Sequence, residues 1–269
     1  MHLPSVPSIE EMPEGDTIHY AANRIRPVLA GRVPDAVATP HPRFGRDRWP
    51  QRLGGRAVEE VSAHGKHLFL RFEGDLTIHS HLRMTGAWRV HPEGARWARA
   101  PRRAWLVITQ DGTDVVQFDG PVLELLTETR RRFDRRLALL GPDLIAEDFD
   151  ARVFLQRLRE DDPTRGIGDA LLDQRTIAGI GNLWKAEGCW AAQIDPWRPV
   201  AAVSDDEVLA IVGDLQPRMR ASARDGNQTR DKKIYKLDGR ACPRCGERIL
   251  ARGQGDDNRT TYWCPGCQR

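Results

Sequence analysis

Lysine is scarce in this chain. Five lysines stand against 36 arginines, and Lys66 is the only one before Lys185. A sequence that uses arginine almost everywhere reflects a GC-rich coding bias. Each retained lysine is therefore a candidate for a place that needs an amine, against the plain alternative of a surviving surface residue. Long apolar runs are missing too. No stretch of 18 or more apolar residues occurs, which excludes a membrane-spanning helix. The first dozen residues hold two glutamates and no apolar block, so no secretory signal is expected and the cytoplasm is the default compartment. Cysteine is sparse at five. Four of the five fall in two Cys-Pro-x-Cys pairs, which without an export signal read as metal ligands and not as disulfides. No internal repeat or low-complexity tract is present.

What is present is ordinary in amount and uneven in placement. At 269 residues, 40% of them hydrophobic, the chain is long enough for two domains with real cores. The net charge is only +3, but residues 230–269 hold ten Lys/Arg against five Asp/Glu, and residues 13–229 are balanced. A basic C-terminal end points to nucleic acid as a partner.

Residues 55–125 read as short strands. HLFLRF (67–72), DLTIHSHL (75–82), AWLVITQ (104–110) and DVVQF (114–118) are separated by turn signals at 73–75, 92–94 and 110–113. Such a series predicts a sandwich or barrel. TIHYAANRIRPVLAG (17–31) has a 3.6-residue period and ends in Gly, which predicts a helix ahead of the sheet. LLGPDLIAEDFD (139–150) is a natural boundary. Beyond it helices are expected over 150–161, 167–174, 181–192 and 204–223, the last opened by Ser204 and Glu207 at capping-box spacing. Residues 224–233 read as a polar loop, and a small Cys-rich module follows.

The strongest motif is Cys242-Pro-Arg-Cys245 followed by Cys264-Pro-Gly-Cys267. Two such knuckles place four thiolates around one structural Zn²⁺ at the turns of a β-hairpin, with no coordination position left for hydrolysis. Arg259, near the hairpin tip, is a candidate to reach a partner. DQRTIAGIGNLWKAEG (173–188) reads as helix, Gly-rich turn, helix. Asn182 would open the second helix with exposed N–H groups suited to phosphate, the alternative being a plain helix connection. In a third region Lys66 enters a strand after Gly65, and His79, His81, Arg83 and Met84 follow. On composition alone the histidines and Met84 stay structural or core residues. Cys189 reads as a core residue. Met12 precedes Pro13-Glu14-Gly15. An initiator Met is removed before a small residue such as Pro, so a start at Met12 would leave Pro13 with a free secondary amine.

These motifs together resemble the formamidopyrimidine-DNA glycosylase/endonuclease VIII family of bifunctional base-excision repair enzymes. The resemblance rests on Pro13-Glu14, Gly65-Lys66, Gln174 through Asn182, and Cys242 to Gln268. It implies an α+β fold: a β-sandwich domain over 13–140, a helix-two-turn-helix domain over 150–230 and a zinc finger over 234–269. It implies that Pro13, once terminal, attacks C1′ of a damaged nucleotide and that Glu14 is its acid/base partner. Lys66 would serve the catalytic site; Lys66, His81, Asn182 and Arg259 would grip the phosphates, while Met84 fills the hole left by an everted base. The implied partner is damaged double-stranded DNA, met by a monomeric, zinc-containing enzyme of the bacterial cytoplasm and nucleoid, without a membrane.

Two branches compete for the substrate. The short segment 224–233 and the start Pro-Glu-Gly favour oxidised pyrimidines, whereas HSHLRMTGAW looks as much like the oxidised-purine branch. Asp16-Thr17 stand where the family commonly has a second Glu. A start upstream of Met12 would block Pro13 and leave a damaged-DNA binder without catalysis. A zinc-ribbon transcription or RNA-processing factor would explain the cysteines but not Pro13, Lys66 and the Gly-rich turn together.

Overall fold

The computed structural model describes residues 13–44, 46–227 and 232–269. The segment ahead of Pro13, on which the expected start at Met12 bears, and Gln228–Asp231 of the expected polar loop lie outside the described residues. The chain divides into two compact units. One comprises Arg24–Val61 and Phe69–Leu126, with Pro13; the other comprises Glu14–Asn23, Ser62–Leu68 and Thr127–Arg269.

The first element, α1 (Gly15–Leu29), contributes its opening turns to the second unit and its last turns to the first. Then come β1 (Ala36–Ala38), α2 (Trp49–Leu53), β2 (Val58–His64), β3 (His67–Phe72), β4 (Leu76–His81), β5 (Ala87–Pro92), β6 (Ala104–Gln110), β7 (Thr113–Phe118) and β8 (Val122–Thr127). They make two four-stranded sheets ordered β1-β6-β7-β5 and β2-β3-β4-β8. The alternation of AWLVITQ explains its strand: Ala104, Leu106, Ile108 and Gln110 turn inward while Trp105, Val107 and Thr109 do not. Leu70, Phe72, Ile78, Leu106, Ile108, Val115 and Phe118 are fully buried. Each such side chain stabilises the fold by roughly 1.5–3 kcal/mol relative to its exposed state. β6 returns to β7 through Asp111-Gly112, with Gln110 paired to Thr113.

The second unit is helical: α3 (Glu128–Arg132), α4 (Arg135–Ala138), α5 (Ala151–Glu160), α6 (Ile167–Ala170), α7 (Asn182–Ala191) and α8 (Asp205–Asp225). α8 starts with the expected capping box, Ser204 Oγ accepting from Glu207 N and the Glu207 carboxylate accepting from Ser204 N. The helix expected over 167–174 is shorter than the periodicity predicts, ending at Ala170. Beyond it Gln174 takes over the bonding. Its side-chain amide donates to the carbonyls of Leu172 and Ile180 and accepts from Gly179 N, which folds 172–180 into turns. β9 (Leu250–Gln254) and β10 (Arg259–Trp263) form an antiparallel hairpin. Ile249, Cys242 and Cys264 belong to the same buried cluster as Leu183, Ala186, Ile211, Leu215 and Met219. Cys189 is buried there too, as expected. The architecture is α+β, and among the described residues no helix is long and apolar enough to cross a membrane.

Candidate active site

Three stretches of the second unit meet backbone to backbone. Gly15 N donates to Gly179 O at 2.8 Å. A Cβ on Gly15 would come within 2.6 Å of Gly179 Cα, and one on Gly65 within 2.7 Å of Ala178 Cβ. Gly65 and Gly179 also hold φ of +53° and +102°, which side-chain-bearing residues rarely adopt. The start of α1, the β2–β3 turn and the turn ahead of α7 are thereby locked together, and each delivers one candidate side chain: Glu14, Lys66 and Asn182.

Glu14 is buried against the N-terminus of α7. Its Oε1 accepts from Leu183 N at 2.8 Å, and its Oε2 accepts from Gly181 N at 3.0 Å and Trp184 N at 3.3 Å. The expectation that this helix end offers exposed N–H groups is thus corrected: a carboxylate of the chain itself occupies them, satisfying donors a buried helix end cannot leave unpaired. Burial pushes the Glu14 carboxyl up to about 7, against the pull of the Lys66 ammonium and the helix N–H groups and with help from Asp16. Burial equally draws the Lys66 ammonium down, Glu14 opposing and the Arg259 guanidinium reinforcing. A carboxyl poised near neutrality can give and take a proton in one cycle.

Lys66 is held through its neighbour. The Asp143 carboxylate accepts from Gly65 N at 2.8 Å, from Ile145 N at 3.0 Å and from His19 Nε2 at 2.7 Å. Burial would raise the Asp143 carboxyl, but His19 and the two N–H groups outweigh it and keep it below its ordinary value. Asp16, at the place where the family commonly has a second glutamate, accepts from the buried hydroxyl of Ser222.

Asn182 reaches the hairpin, its Nδ2 donating to Thr260 O at 2.7 Å. Its Oδ1 is buried without a hydrogen-bond partner among the described residues. Arg259 opens β10, half-exposed, 3.5 Å from Asp257. The structure therefore brings Glu14, Lys66, Asn182 and Arg259 into one unit. Pro13 precedes Glu14 directly and is partly buried. Cys242, Cys245, Cys264 and Cys267 place all four sulfurs within 4.8 Å of one another, a group that can hold a metal ion. Tetrahedral Zn–S bonds of about 2.3 Å require sulfur separations near 3.8 Å; Cys242 and Cys267 Sγ stand 3.9 Å apart, and Cys245 and Cys264 Sγ are drawn closer, at 3.3 Å.

His81 and Met84 lie in the first unit, at the end of β4 and in the turn after it. His81 Nδ1 accepts from Arg83 N at 3.1 Å. Met84, which composition alone leaves in the core, is 69% exposed. His79 is buried, stacked on Phe69 and 3.2 Å from Glu124, in line with the structural reading. Three further residues stand out in the structure. Asp143 carried no local signal. Lys185, fully buried on α7, shared the lysine scarcity that marked Lys66. Phe133, 81% exposed, is a lone aromatic in the arginine run TRRRFDRR.

Comparison with known proteins places the family and the fold. Residues 12–123 match the formamidopyrimidine-DNA glycosylase N-terminal domain, and residues 140–233 match the formamidopyrimidine-DNA glycosylase H2TH domain. A probable endonuclease 8 2 of Streptomyces coelicolor is 41% identical over 96% of this chain and 94% of its own length. A DNA-(apurinic or apyrimidinic site) lyase Nei2 of Mycolicibacterium smegmatis is 36% identical over 96% of this chain and 99% of its own. The formamidopyrimidine-DNA glycosylase of Lactococcus lactis, solved bound to DNA containing an AP site, superposes with a TM-score of 0.80 over 96% of this chain and all of that one, at 24% identity. With relatives this similar along nearly its whole length, the chain belongs to the formamidopyrimidine-DNA glycosylase/endonuclease VIII family.

Proposed function

We propose that this protein is a base-excision repair glycosylase and AP lyase that removes oxidised pyrimidines from double-stranded DNA. The observation that carries the reading is the Glu14 carboxyl, seated on the α7 N-terminus with a value of about 7 and directly following Pro13 in the chain. A start at Met12, where the match to the family's N-terminal domain begins, frees Pro13 as a secondary amine. An α-amino group titrates at roughly 7.7–8, so part of it is unprotonated at neutral pH.

The Pro13 nitrogen attacks C1′, and the damaged base leaves with the bonding pair. Glu14, as the acid, protonates the sugar ring oxygen, and the opened sugar becomes an iminium on Pro13. The iminium draws electrons from the C2′–H bond; that proton is lost to a base and the 3′ phosphate departs. A second elimination releases the 5′ phosphate and leaves a one-nucleotide gap with phosphate at both ends. Lys66, His81, Asn182 and Arg259 hold the phosphates around the everted nucleotide, and Met84 occupies the space it vacates. Cys242, Cys245, Cys264 and Cys267 hold one zinc ion, which ties the knuckles to the hairpin carrying Arg259. The protein acts as a monomer.

The pyrimidine preference is supported by the short connection after α8, which ends at Asp225, and by the endonuclease 8 names of relatives at 38–41% identity. Borohydride trapping on a duplex containing 5-hydroxyuracil, with chains starting at Met1 and at Met12, tests the chemistry. A covalent adduct from the Met12 form alone is expected. Binding to abasic-site DNA with no adduct from either form would replace the enzyme with a damage binder. A parallel duplex containing 8-oxoguanine tests the branch, and faster excision there would reverse the preference.

A further inference from the structure

Two side chains of α7 reach the same strand. Beside the Asn182 bond to Thr260, Lys185 Nζ donates to the Thr261 hydroxyl at 2.5 Å. That hydroxyl donates to Gln254 Oε1 at 2.8 Å, and Gln254 Nε2 donates to Pro196 O at 2.7 Å. Gln254 is the residue paired with Arg259 across the hairpin. Its amide fills a slot left by two glycines, since a Cβ on Gly166 or Gly168 would stand 2.8 Å from it. Lys185 and Thr261 are fully buried and Gln254 nearly so. Burying an ammonium is unfavourable, and an apolar side chain of similar volume is commonly neutral or stabilising in such a place. A lysine here serves the placement of β10 better than it serves stability.

We propose that Lys185 is a positioning residue for Arg259: through Thr261 it sets the register of β10 on α7, so that Arg259, two residues earlier, projects at the helix end that holds Glu14. The assignment rests on the reading of Arg259 as a DNA-phosphate ligand. Asn182 holds the adjacent carbonyl, so β10 is fastened to α7 at two successive residues. The Gln254 link extends the fastening to β9 and to the turn at Pro196.

A double-mutant cycle tests it. The full chain, Lys185→Met, Arg259→Ala and the combined variant are titrated against a duplex carrying a tetrahydrofuran abasic analogue at one fixed ionic strength. Melting temperature and zinc content are measured on each. Lys185→Met is expected to weaken binding several-fold, no more than Arg259→Ala does, with melting temperature and zinc content kept. The combined variant should bind within about twofold of Arg259→Ala alone. Thr261→Val, which removes the acceptor and leaves the lysine, should show the same coupling and stands in if Lys185→Met does not fold. Additive losses, or wild-type affinity in Lys185→Met and Thr261→Val, would overturn the assignment while leaving DNA binding intact. Failure of the unsubstituted chain to bind the duplex would overturn both.

Discussion

Replacing Glu14 with Gln keeps the size of the side chain and removes its titration. The wild-type carboxyl titrates at 4.5 when unfolded and at about 7 in its buried site. Between those values the folded state holds a proton that the unfolded state has released, so stability falls as pH rises. At about 1.4 kcal/mol per pH unit, the wild type loses about 3 kcal/mol from this group between pH 4.5 and 7, and nothing further above. Glu14→Gln abolishes that slope. Removing the carboxylate also lets burial draw Lys66 down further, which acts in the same direction. Below pH 5 the variant should be the less stable protein by about 1–3 kcal/mol, because a carboxamide turns an NH2 group toward backbone N–H groups that the carboxyl oxygens face. By pH 8 that deficit should have closed or reversed. In a chain of this size about 3 kcal/mol corresponds to roughly 6–12 °C, so the melting-temperature difference should shift by that much between pH 4.5 and 8. Trapping by borohydride should fall at every pH. Parallel melting curves at the two pH values would refute the buried, high-titrating carboxyl, whatever happened to activity.

Three further outcomes are expected. Stripping the metal from the four cysteines with a strong chelator should lower the melting temperature by more than about 10 °C and abolish DNA binding, with one equivalent of zinc released; an unchanged melt would separate the knuckles from the core they share. Met84→Ala should leave stability within about 0.5 kcal/mol yet slow excision from a paired duplex, with little effect where the target lies in a bubble. Equal slowing on both substrates would remove Met84 from base eversion. Asp143→Asn should cost about 1.5–3 kcal/mol through the weakened Gly65 and His19 bonds and reduce trapping as Lys66 loosens; wild-type trapping would show that the Lys66 backbone needs no such anchor.

The parts of the fold that the sequence made legible are those whose cause is local. The cysteine knuckles, the Ser204 cap and the alternation of β6 each lie within a few residues, so spacing alone announces them. The helix past Ala170 was overextended because periodicity does not register Gln174 bonding its own neighbours. The cradle of Glu14 joins residues 167 to 170 positions apart, and no window along the chain contains both halves. Resemblance supplied Glu14 as a candidate, but the burial that sets its proton affinity belongs to the folded chain. The same distance hid Asp143, whose partners at 19 and 65 come from two other segments. Met84 shows the opposite limit: its apolar character alone suggests the interior, whereas the resemblance and the turn after β4 both set it outside.

The glycine junction at residues 15, 65 and 179 has a consequence for transplantation and for tolerance to change. Because the acid, the amine and the amide are placed by main-chain contact, grafting Glu14, Lys66 and Asn182 onto another scaffold as side chains would not recreate the site. The portable unit is three segments of backbone in mutual contact, one helix start and two turns. Even an alanine scan should find these glycines as unforgiving as the functional residues beside them. Among functional variants in a mutagenised library, changes should collect around the junction and leave its three positions as glycine.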